Sequence, residues 1–180
     1  MVRSFYPILD SEPLADEHSI KLSSFMKKNF ELISRLVDRA EQLSLDIQEL
    51  SPSFVLCHSD LHAGNILIDS NDKLYIVDWD EPIMAPKERD LMFFGGGVGN
   101  VWNQPHEETL FYKAYDDVEI NPALLAYYRH ERILEDIAEY CDNLLLTPAG
   151  GANRQEMYNH FVDMFESNGV VDIALKMQLS

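Results

Sequence analysis

The chain has 180 residues, 46% of them hydrophobic and 25% charged, which suits one globular domain and excludes wholesale disorder. Its 14 Lys and Arg against 31 Asp and Glu give a formal net charge of −17. A surface this acidic repels nucleic acid and anionic membranes and attracts small cations. The two cysteines, Cys57 and Cys141, have no metal-ligand spacing and read as inert thiols of a reducing cytoplasm. The opening MVRSFYPILDSEP lacks the apolar run of a signal peptide, and no stretch is long and apolar enough for a bilayer, so a soluble cytoplasmic protein is expected.

Residues 1 to 18, with Pro7 and Pro13, read as an irregular lead-in. From Ser19 to Leu50 apolar residues recur at helical spacing (Ile20, Phe25, Phe30, Ile33, Val37, Ala40), which predicts one long helix with a break near Ser44. Ser51-Pro52-Ser53 ends it. Val55-Leu56-Cys57 then predicts a short buried strand, followed by a polar loop from His58 to Gly64. Ile66 to Ile68 and Leu74 to Val77 predict two strands, joined by the turn Asp69-Ser70-Asn71-Asp72.

Asp80 to Pro86 reads as a loop and Glu88 to Phe94 as a short helix. The glycines of Gly95 to Gly99 end that helix; they lack the preceding strand and the Lys-Ser or Lys-Thr of a phosphate cradle. Pro105 to Tyr115 is a further helix. Asn121, as N-cap, and Pro122, as first helical residue, open a stronger one that Thr147 to Gly151 stops. Arg154 to Phe165 and Val170 to Met177 complete the chain. The fold class is α+β and mostly helical, with a small β-hairpin carrying the polar loop.

The chemistry concentrates at Asp60, Asn65 and Asp78, three oxygen-bearing side chains at the ends of short strands that a hairpin folds together. Such a set suits Mg²⁺ and a phosphate, with one carboxylate free to accept the proton of an attacking hydroxyl. The spacing His58-x-Asp60-Leu61-x-x-x-Asn65 reproduces the kinase catalytic loop H-R-D-L-x-x-x-N, except that Ser59 replaces the Arg. Thirteen residues after Asn65, Asp78-Trp79-Asp80 stands where kinases place D-F-G.

This stretch resembles the aminoglycoside phosphotransferase and choline kinase family, whose pattern is H-G-D-x-x-x-x-N followed by I-D-W or I-D-F. Within it, LCHSDLHAGNIL, IVDWDEPIMAPKERDLMF, GGGVGNVW and YYRHERILEDIA look like the spectinomycin phosphotransferases. The resemblance implies the C-terminal lobe of a protein-kinase-like fold that uses ATP and Mg²⁺. It also implies a small cationic substrate, an aminocyclitol antibiotic. Asp60 is then the catalytic base, Asn65 and Asp78 hold Mg²⁺ and the nucleotide phosphates, and His58 and Asp90 brace the loop. Asp80, Glu81, Trp102, Tyr128, Glu131, Glu135 and Asp136 are candidates for the substrate pocket, against the plainer reading of the acids as a solvated helix face.

No glycine-rich loop or strand lysine precedes Asp60; Lys21, Lys27 and Lys28 fall in the first helix. The expectation is therefore a catalytic lobe that works with an N-terminal lobe supplied in cis or by a second polypeptide, with an apolar docking face and self-association. The alternative is a truncated, incompetent lobe that binds only metal, substrate or a partner. A calcineurin-like metallophosphoesterase, with Asp60 and His62 as the D-x-H ligands, is a minor reading; the further G-D and G-N-H segments it needs are absent from the sequence.

Overall fold

The computed structural model describes residues 1–10, 16–115, 118–147 and 153–178. Among them the molecule is mostly helical, with two small antiparallel sheets. The described start of the lead-in is helical, not irregular: a 3₁₀ turn over Val2–Phe5 runs into a short helix α1 (Tyr6–Leu9). The reason is a buried 2, 5, 9 stripe, since Val2, Phe5 and Leu9 all enter the main core.

The first long helix is broken at Asn29, well before Ser44, into α2 (Glu17–Lys28) and α3 (Phe30–Ile47). Asn29 leaves helical geometry at φ −102° and ψ 19°, and its Nδ2 donates back to the Phe25 carbonyl at 2.9 Å, which closes the end of α2. Asp16 caps the start of α2 by accepting from Ser19 N at 2.9 Å. Glu17 in the first turn and Lys27 and Lys28 in the last suit the helix dipole.

The long helix α6 (Pro122–Cys141) starts on Asn121, whose Oδ1 accepts from Ala123 N and Leu124 N at 3.0 and 3.2 Å. It continues through a π turn over Asp142–Leu146. Part of the Thr147 to Gly151 stop lies outside the described residues. Helix α3 packs along α6, bringing Ile33, Leu36 and Val37 into one core with Ile133 and Ile137. Each such side chain, fully buried, contributes about 1.5–3 kcal/mol. Helices α7 (Arg154–Asp163) and α8 (Val170–Lys176) close this core with Phe161, Val171 and Ala174.

The sheets lie at the other end. Strand β1 (Phe54–Cys57) pairs antiparallel with β4 (Ile83–Pro86), and β2 (Ile66–Ile68) with β3 (Leu74–Ile76). Two expectations are corrected here. Residues 83–86, expected as part of a loop from Asp80 to Pro86, form a strand. And β1 is buried only at Cys57, with Leu56 63% exposed. On the hairpin Ile68 is 68% exposed, so both sheets present apolar side chains to the outside. A short helix α4 (Glu88–Leu91) follows β4, and α5 (Pro105–Ala114) precedes α6. A second, smaller core of Leu91, Met92, Phe93 and Leu125 joins α4 to α6 beneath the polar loop. No helix among the described residues is long and apolar enough to cross a membrane.

Candidate active site

The polar loop between β1 and β2 is fixed from three sides. From α4, Asp90 accepts the backbone N–H of His58 at Oδ2 (2.9 Å) and that of Ser59 at Oδ1 (2.8 Å). From the hairpin, the Val77 carbonyl lies 2.7 Å from His58 Nε2. A carbonyl can only accept, so Nε2 carries the ring proton and Nδ1 is left to accept from Asp60 N at 3.3 Å. From the β3–β4 connection, the Glu81 carbonyl accepts Ser59 Oγ–H at 2.7 Å. Ser59 sits at φ 69°, a left-handed conformation that costs an L-residue about 1–2 kcal/mol. The three sets of bonds hold the turn in that shape.

This turn delivers Asp60 to the mouth of a cleft. Asn65, in a 3₁₀ turn over Ala63–Asn65, donates through Nδ2 to the Asp60 carbonyl at 2.9 Å and to Oδ2 at 3.3 Å. Val77 N donates to the Asn65 carbonyl at 3.0 Å, so Asp78, the next residue, is held beside Asn65. Asp78 also has a left-handed backbone, at φ 66°. The three residues singled out by spacing thus stand on one hydrogen-bonded unit, with Asp60 and Asp78 lining the same cleft.

Two cations balance the acids of that cleft. Arg132 of α6 places Nη1 2.9 Å from Asp60 Oδ1 and Nε 2.8 Å from Asp136 Oδ1. Arg89 reaches Glu131 and Glu135, each at 3.7 Å. The His62 ring, 3.4 Å from Oδ2, and the Arg132 guanidinium outweigh partial burial and hold the Asp60 carboxyl down at about 2. Asp136 goes the other way: burial pushes it up to about 6 despite its Arg132 partner.

Asp80, Glu81, Glu135 and Asp136 line this cleft with Asp60. Tyr128 and Glu131 do not. Tyr128 lies one turn before Arg132 on α6, where α4 covers the helix, and Arg89 sits 5.8 Å from its ring centre. Glu131 is turned about 100° around the helix from Arg132 and accepts the Tyr127 hydroxyl at 2.6 Å. Trp102 lies in an adjoining cavity and stacks on His62, with 5.4 Å between ring centres. His62 is engaged at both nitrogens, since its Nδ1 accepts from Gly64 N at 3.0 Å and its Nε2 faces Asp60. That geometry does not suit a D-x-H metal pair. Sequence reasoning missed Arg132, Arg89 and Glu139, all on the cleft wall. The available signal was Arg132 and Asp136 four apart on the helix that also carries Glu135 and Glu139.

A loop pinned by Asp90 and carrying Asp60 and Asn65, with Asp78 beside it on an acidic cleft, is the arrangement a kinase-like phosphotransferase uses, and the chain belongs to the phosphotransferase enzyme family, whose model matches residues 11–102. It is similar to spectinomycin phosphotransferase APH(9)-Ia, solved in complex with ADP and spectinomycin: 49% identity, TM-score 0.89, covering 98% of this chain and 54% of that one. The AMP-bound complex of spectinomycin phosphotransferase APH(9)-Ia gives 47% identity and a TM-score of 0.86 over the same shares. An uncharacterized protein of Metamycoplasma hominis is 30% identical over 100 residues, 56% of this chain and 18% of its own length. The chain thus spans about half the length of the solved relatives it matches. The family pattern H-G-D places glycine where this chain has Ser59, and the φ of 69° there is the conformation glycine takes freely.

Proposed function

We propose that the chain is the catalytic and substrate-binding part of an antibiotic phosphotransferase. It directs the γ-phosphoryl group of ATP to a hydroxyl of a small cationic molecule, an aminocyclitol such as spectinomycin. The observation that carries this reading is the hydrogen-bonded unit of Asp60, Asn65 and Asp78 beside a cleft walled by Asp80, Glu81, Glu135 and Asp136.

In this reading Asp60 orients the acceptor hydroxyl and takes its proton at a carboxylate oxygen. Asn65 has spent its amide nitrogen on Asp60, which leaves Oδ1 as a ligand atom; with the Asp78 carboxylate it would hold Mg²⁺. One amide oxygen and one carboxylate suit that ion, which takes its other ligands from phosphates and water. When bound, Mg²⁺ and ATP supply the transferable group and the charge that neutralises it. His58 and Asp90 keep the loop in position. Asp80, Glu81 and Glu135 draw in the cationic acceptor.

The exposed apolar side chains of Leu56, Ile68, Leu74 and Met84 are the surface for the remaining part of such an enzyme, or for a second copy of this chain. Equilibrium dialysis with labelled spectinomycin tests the site. Saturable binding that weakens with added salt is expected; no binding overturns the reading. With Mg-ATP and spectinomycin the chain by itself is expected to release ADP only slowly, because much of a nucleotide's surroundings lies in the lobe that carries the glycine loop and strand lysine.

A further inference from the structure

Neither oxygen of Asp60 stands open: Oδ1 is buried under an ion-pair partner and Oδ2 faces two donors. Oδ1 lies 2.9 Å from Arg132 Nη1, while Oδ2 faces Asn65 Nδ2 at 3.3 Å and His62 Nε2 at 3.4 Å. A base that is to orient a hydroxyl needs an oxygen in hydrogen-bond reach of it. Oδ2 faces two donors, while Oδ1 keeps acceptor capacity but is buried, so a hydroxyl reaches Oδ1 only when a neighbour moves, and the three neighbours differ in whether they can.

His62 is pinned. Its Nδ1 accepts from Gly64 N at 3.0 Å and its ring stacks on Trp102, so Nε2–H has no other direction. Asn65 is pinned as well: it is buried, and the same Nδ2 holds the Asp60 carbonyl at 2.9 Å. Arg132 is different. It comes from α6, across the cleft, and its Nε has a second anchor on Asp136 Oδ1 at 2.8 Å. A guanidinium presents five N–H groups in one plane, so Arg132 can release Asp60 and keep an ion pair. Its side chain is 29% exposed, which leaves room for that movement.

We propose that Arg132 is a displaceable cap on Asp60, a positioning residue that decides which acceptors reach the base. The proposal rests on the phosphotransferase reading above. Swinging Arg132 away leaves the Asp60 charge uncompensated in a cleft that also holds Asp80, Glu81, Glu135 and Glu139. An acceptor carrying its own ammonium group makes up that loss. A neutral polyol cannot, so the cap discriminates against hydroxyl compounds without a cation.

Calorimetric titration of spectinomycin into the 180-residue chain tests this with wild type, Arg132→Gln and Arg132→Lys. Removing the competitor in Arg132→Gln is expected to tighten binding about fivefold, and Arg132→Lys, which serves one carboxylate at a time, falls between the two. Equal or weaker binding by Arg132→Gln overturns the cap. A ligand-free readout separates this from the functional reading. In urea unfolding, Asp60→Asn is expected to lower the folding constant about fivefold more with Arg132 present than in the Arg132→Gln background. Additive losses overturn the cap whatever spectinomycin does. Coupling without any spectinomycin binding supports the cap and overturns the choice of substrate.

Discussion

Asp90 Oδ1 accepts the backbone N–H of Ser59 at 2.8 Å, at the one residue of the polar turn that is held in a left-handed conformation. The companion bond from Oδ2 to His58 N makes the carboxylate a two-point clamp on the loop that carries Asp60. Replacing Asp90 by Ala strands two N–H groups and is expected to cost about 2–4 kcal/mol in urea unfolding. Asp90→Asn keeps one acceptor oxygen and is expected to cost about half as much. Amide exchange at His58 and Ser59 should accelerate in step with these losses; unchanged protection in Asp90→Ala would contradict the clamp.

Ser59 lets backbone strain be weighed against a hydrogen bond. Ser59→Gly removes the cost of the positive φ, about 1 kcal/mol, and gives up the bond to the Glu81 carbonyl, worth about as much. Stability is expected to change by less than about 1 kcal/mol. Ser59→Ala keeps the strain and loses the bond, and is expected to be about 1 kcal/mol less stable than wild type. Thermal unfolding that ranks Ala above Gly at this position contradicts the assignment of strain.

Asp136 gives the cleft a dependence on pH. Burial raises its carboxyl to about 6, so it is protonated below that value and charged above it. Affinity for a permanently charged or ammonium ligand is therefore expected to rise as pH goes from about 5 to 7, through the titration of Asp136. Asp136→Asn should flatten that rise. A profile that is flat in wild type, or one that survives in Asp136→Asn, places the titrating group elsewhere.

Much of this architecture was legible in the sequence. Asn121 and Pro122 announced the start of α6 through capping chemistry that is local to the chain. The hairpin turn at Asp69 to Asp72 and the spacing from Asp60 to Asn65 to Asp78 were equally local. What escaped depended on partners far along the chain. The break at Asn29 is hidden because the apolar stripe continues on both sides, from Phe25 to Ile33. Strand β4 forms because β1 pairs with it, and Pro82 before it and Pro86 as its last residue mask that tendency. Apolar residues in β1 announced a strand and nothing about what covers it. Arg132 went unnoticed because it stands one turn from Asp136 like any helical ion pair; only the packing of α6 over the polar loop turns that face toward Asp60.

In the proposed function Asp60 serves a phosphoryl transfer to a cationic antibiotic. The most direct measurement joins this chain to the half of the solved spectinomycin phosphotransferase that it does not span, then follows label from γ-³²P-ATP into spectinomycin. Mg²⁺-dependent transfer that falls at least about a hundredfold in Asp60→Asn is the predicted result. No transfer by the wild-type fusion, or transfer that persists in Asp60→Asn, would contradict it.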